Sequence, residues 1–183
     1  MIINIARYFA IILFSILIFN RLQAPDFLFE HTSVFSGKMI YNPYAASASS
    51  WVKANFHAHA RSYGGFTNGK QFGREVVKAY MNTGYRIAGI SDYFRLNPEV
   101  NMYQNLSVPV FEHGLNIIKA HQLVIGTQEA VFEDIVLFQN DHTRQHVLNQ
   151  ISKLNGYICI AHPKNRNGHS EETLKKLSNY QAI

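Results

Sequence analysis

The chain has 183 residues, 47% of them hydrophobic and 13% aromatic. That is enough for one domain with a real core and too apolar for a disordered chain. The formal charge of +5 is spread along the sequence rather than gathered in a block, so it gives no nucleic-acid-binding stripe, although an anionic small molecule suits it.

The N-terminal segment stands apart. Arg7 precedes an apolar run over 8–19, and Asn20-Arg21 follows it. This is the order of a signal peptide or membrane anchor, so residues 1–24 predict an exported protein, periplasmic or extracytoplasmic. Contact with a membrane is expected only through this segment. Pro25 after Leu22-Gln23-Ala24 is a poor residue to follow a cleavage site. Residues 25–50 read as a linker, with a turn at Asn42-Pro43 and a small polar stretch over 45–50.

From residue 51 strands and helices alternate. The apolar run over 51–57 reads as a strand, followed by a glycine-rich loop over 63–70. That loop lacks the Gly-Lys-Ser/Thr ending of a nucleotide-binding P-loop. Val76, Val77, Tyr80 and Met81 have helical spacing and predict a helix over 74–82, stopped by Gly84. Strands are expected over 86–91, 108–111, 122–125 and 135–138. A helix is expected over 142–154, then a strand over 157–161. Ser170 is the expected N-cap of a helix over 171–177, and another strand starts within 180–183. The single cysteine, Cys159, permits no internal disulfide and reads as a small core residue of its strand. No Gly-x-Ser-x-Gly elbow is present, so nucleophilic serine or cysteine catalysis has no support.

This alternation predicts an α/β fold with mostly parallel strands. His57, His59, Asp92, Glu112 and His162 fall at the C-terminal ends of expected strands, the face that carries chemistry in α/β barrels. His121 opens a strand. Residues i and i+2 of a strand share a face, so His57 and His59 can reach one metal ion.

Four local patterns, in order, carry a family resemblance. They are Phe56-His57-Ala58-His59, Gly89-Ile90-Ser91-Asp92-Tyr93, Val110-Phe111-Glu112-His113-Gly114 and Ile158-Cys159-Ile160-Ala161-His162-Pro163. Together they resemble the His-x-His, Thr-Asp-His, glutamate-turn and His-Pro motifs of the PHP (polymerase and histidinol phosphatase) family. The resemblance runs from Asn55 to the end and implies a distorted (β/α)7 TIM-like barrel. Here it would be incomplete, because residues 51–183 would lack the C-terminal part with the family's late Asp-x-His pair.

The resemblance also implies a phosphoester-hydrolysing site with divalent Zn, Mn or Fe. His57 and His59 would bind a first ion, His121 and His162 a second, and Glu112 would bridge them. Two departures fall on the family's third ion: Gly64 stands where a ligand is usual, and Tyr93 replaces the histidine after Asp92. Two ions are therefore expected. Asp92 is expected to orient a ligand imidazole, Tyr93 to touch substrate or pack at the barrel mouth, and His113 to be a bystander. Glu129 is the fallback for Glu112. Arg61, Lys164 and Arg166 each follow a proposed ligand and are candidates to grip a phosphate.

The leading expectation is thus an exported metal-dependent phosphoesterase. The alternatives are a non-catalytic relative that binds metal or a sugar phosphate, and a metal-dependent hydrolase of amide-type bonds.

Overall fold

The computed structural model describes residues 2–30, 51–66, 69–99, 107–116 and 118–183. Helix α1 (Ile2–Leu22) is followed by strand β1 (Lys53–Asn55), α2 (Gly73–Asn82), β2 (Tyr85–Ala88), β3 (Val110–His113), β4 (His121–Ile125), α3 (Asp141–Ser152), β5 (Tyr157–Ala161) and α4 (Glu171–Lys176). Of the linker expected over 25–50, residues 31–50 lie outside the described residues.

The fold is mixed α/β, built on two small sheets and an apolar N-terminal helix. β1 and β2 pair in parallel. β3, β4 and β5 form an antiparallel sheet in that order. A parallel bridge between Tyr93 and Glu112 joins the two walls, with Phe94 N–H donating to Glu112 O at 2.9 Å and Glu112 N–H to Asp92 O at 3.2 Å.

The antiparallel sheet corrects the expectation of mostly parallel strands. Only seven residues, 114–120, separate β3 from β4. A parallel crossover needs a dozen or more, so the chain must reverse. Gly114 at φ 124° and Lys119 at φ 62° make the reversal. No barrel is evident in these sheets.

The strand expected over 135–138 does not form. Ile135 is buried in the core, yet its segment is held by side chains. Asp134 accepts from Ile135 N–H at 2.8 Å, and the Gln139 amide donates to Ile135 O at 2.6 Å. An apolar run can be buried as a loop when side chains satisfy its backbone. The strand expected within 180–183 is reduced to one bridge, Ala182 to Cys159.

The helices follow local chemistry. Glu75 closes the first turn of α2 by accepting from Phe72 N–H at 2.8 Å. Asn140 caps α3 and Ser170 caps α4, each accepting from the N–H three residues on. The main core lies between α3 and the antiparallel sheet, around Phe111, Val124, Leu148, Ile151, Ile158 and Ile160. Val76 and Val77 of α2 pack with Ala60, Ala88 and Ile90 in a second cluster.

α1 exposes its apolar side chains over nearly its whole length. Within it, Asn4–Leu22 is long and apolar enough to cross a membrane, with a mean hydropathy of 1.7. Nineteen residues rise about 29 Å, close to the thickness of a bilayer core. The apolar stretch is longer than the 8–19 run alone. Its last turn meets the domain: Asn20 donates to Asp134 O and Arg21 to Phe138 O, both at 2.9 Å. Ala24 and Phe29 pack on the main core, so the start of the supposed linker is docked.

Candidate metal centre

Glu112 is fully buried in the middle of β3. Successive strand residues face opposite ways, so Glu112 and His113 part company. His113 turns to the other side, where Gln122 Oε1 and Glu133 O lie 3.2 and 2.7 Å from its ring nitrogens. It packs edge-on against Phe94 and has no place at Glu112.

Four imidazoles converge on the Glu112 carboxylate. His57 Nε2 and His59 Nε2 lie 3.2 and 2.9 Å from Oε2. His121 Nδ1 and His162 Nε2 lie 2.7 and 3.1 Å from Oε1. Each oxygen therefore takes two histidines. The ionised carboxylate can only accept, so those ring nitrogens that carry a proton can donate to it, and those that do not are free to ligate a metal. Burial alone would raise the Glu112 pKa, but hydrogen bonds from His121, His57 and His59 outweigh it and hold the group well below the ordinary carboxylate range.

The local fold explains the convergence. The backbone beyond β1 stays beside that beyond β2, with Ser91 N–H donating to Ala58 O at 2.7 Å; this brings His57 and His59 toward β3. His121 starts β4 on the Glu112 face. His162 follows β5 at φ 34°, a left-handed kink that bends it back over His121, their ring centres 5.2 Å apart. His57 and His162 approach to 5.6 Å.

This set can hold a metal ion. Ligand atoms of His57, Glu112 and His162 all lie within 4.8 Å of one another. Donors around a four-coordinate ion sit about 3.3 Å apart, given metal–ligand bonds of ~2.0–2.1 Å. The 3.2 and 3.1 Å separations of His57 and His162 from Glu112 match that spacing. Among the described residues, His59 Nδ1, His121 Nε2 and His162 Nδ1 are buried without a hydrogen-bond partner. Imidazole with carboxylate is a donor set for Zn, Mn or Fe rather than for Ca or Mg.

Tyr93 belongs to the cluster. Its ring stacks on His59 at 4.8 Å and stands edge-on to His121 at 5.6 Å. Burial and the Glu112 carboxylate push its phenol up to about 12. Its position after Asp92 was the only signal for it in the sequence.

The other candidates make contacts of their own. Asp92 is buried, and among the described residues its hydrogen-bond partners are not imidazoles: Oδ1 accepts from Ala60 N–H at 3.0 Å and Oδ2 from the Asn97 amide at 2.8 Å. It braces the backbone after the His57–His59 pair. Glu129 is exposed beyond β4 and Glu112 takes the central place. Gly64 lies in a 3-10 turn, Tyr63–Gly65. The exposed Arg61 guanidinium lies over the Phe72 ring, 5.9 Å from its centre. Lys164 and Arg166 are exposed in the turn after β5. Cys159 is half-buried and burial raises its thiol pKa, which suits packing rather than reactivity.

An open cavity of about 390 Å³ adjoins the cluster, sharing Tyr93 and His121 with it. No protein-family model matches the chain, and no curated protein matches it.

Proposed function

We propose that the chain is a metal-dependent hydrolase of phosphate esters with two ions bridged by Glu112. The observation that carries this reading is the division of the carboxylate, His57 and His59 on one oxygen and His121 and His162 on the other. A carboxylate with two imidazoles on each oxygen can bridge two ions, while the His57, Glu112 and His162 set, all within 4.8 Å, is the single-ion alternative. The four motifs that resemble the PHP family add to it, and the barrel expected from them remains part of this proposal.

Bound divalent ions would lower the pKa of a water and neutralise charge on phosphoryl oxygens. The chain's own groups do the rest. Glu112 stays ionised in its buried site and fixes the positions of four imidazoles at once. Tyr93 keeps its proton at neutral pH and holds the His59 ring by stacking, while Asp92 fixes the backbone beyond it. In the net reaction, water oxygen bonds to phosphorus, the ester P–O bond breaks, and the leaving oxygen takes a proton. No side-chain nucleophile is required.

α1 supports export, with this helix as the signal or anchor. A small phosphorylated molecule is the partner proposed, and nucleic acid is not.

The test is hydrolysis of mono- and bis-p-nitrophenyl phosphate by the full chain before and after chelation. The reading predicts turnover that chelator abolishes and Zn, Mn or Fe restores. A protein that binds metal without turnover is instead a binding module, as one carboxylate shared by four imidazoles also allows. Turnover of p-nitroanilides but not phosphates would move it to amide chemistry.

A further inference from the structure

The cavity beside the metal centre has a mixed lining. Tyr93, Phe94, Leu115 and Phe132 give it an apolar lining, while His121 and Lys119 bring it to the cluster and supply a cation. Its rim is unusually apolar for a surface exposed to water. Phe132 is 70% exposed, Leu115 61% and Phe66, which also lines it, 95%. Isolated exposed apolar residues need no explanation, but several around one concave site do.

α1 ends beside this rim. Asn20 of α1 shares a second, smaller cavity with Phe94, Leu115 and Phe132. Asn20 and Arg21 donate to Asp134 O and Phe138 O in the segment that carries Phe132, and Phe138 is itself 67% exposed. A helix of membrane-spanning length is thus tied at its C-terminal end to the apolar mouth of the cavity. With α1 retained as an anchor, the mouth would lie where the helix leaves the bilayer.

We infer that the substrate is a phosphate monoester with a long apolar tail, taken from a membrane surface. The tail lies along Phe94, Leu115 and Phe132, and the phosphate lies toward His121 and Lys119. This inference rests on the phosphoesterase reading above and narrows it to amphiphilic substrates. Both a water-soluble sugar phosphate and a charged peptide would leave the apolar lining without a partner.

The test uses non-hydrolysable probes, n-decylphosphonate below its micelle concentration and methylphosphonate, titrated calorimetrically into the metal-loaded full chain. The decyl compound should bind at least tenfold more tightly. Phe132→Ala should remove most of that advantage and leave methylphosphonate binding unchanged. Phe132 is exposed, so this variant should fold. Lys119→Gln should weaken both probes by a similar factor. Equal affinity for the two probes overturns the inference, as does a decyl advantage that survives Phe132→Ala. Hydrolysis of p-nitrophenyl phosphate tells the two failures apart: with it intact, only the amphiphilic assignment falls.

Discussion

His121 and Glu112 meet diagonally across the β3–β4 ladder, Nδ1 to Oε1 at 2.7 Å. The pairing places Glu112 opposite Leu123 and His113 opposite Gln122, so His121 stands two residues along on the Glu112 face. The hairpin that spoils the parallel-sheet expectation is thus what brings the two residues together.

Gly114 protects that contact. It has φ 124°, and a Cβ there would strike the His121 ring. Gly114→Ala should lose about 1–3 kcal/mol of stability from strain and overpacking. It should also weaken metal affinity by displacing His121. Urea denaturation and a competitive chelator titration check both effects.

Asp92 has two donors, Ala60 N–H and the Asn97 amide. Asn in its place can accept at only one of them and turns an N–H toward the other. Asp92→Asn should cost roughly 1–3 kcal/mol, the range for leaving a buried polar group unsatisfied. The folded fraction should still bind metal. Metal lost without any loss of stability would instead place Asp92 among the ligands.

His169 makes the domain sensitive to acid. It is buried, and burial with the nearby Arg144 charge holds its pKa down at about 4, against an ordinary 6.5. The unfolded chain therefore takes up this proton first as pH falls. The contribution to stability is complete above 6.5 and is lost as pH falls toward 4. His169→Leu should flatten the dependence of the urea midpoint on pH between 4 and 6.5. An unchanged slope would contradict this account.

Much of the centre was legible in the sequence. The five residues expected as ligands, His57, His59, Glu112, His121 and His162, meet at one carboxylate: Glu112 lies within β3, and the four histidines stand at or just beyond the ends of their strands. Strand alternation also separates Glu112 from His113. The role of Asp92 was not legible, because its partners are a backbone N–H 32 residues earlier and the Asn97 amide. Nor was the contact of Arg61 with Phe72, a ring 11 positions away. The antiparallel sheet was hidden by apolar runs, which give strand content but not direction. Residues 135–138 have a strand's composition, yet side chains from Asp134 and Gln139 satisfy their backbone first.

Elemental analysis of the purified full chain and of Glu112→Gln tests the central claim most directly. The account predicts about two ions of Zn, Mn or Fe per native chain and less than a tenth of that in the variant, with both proteins folded by circular dichroism. A folded native chain without metal, or a Glu112→Gln variant that keeps its full complement, would contradict it.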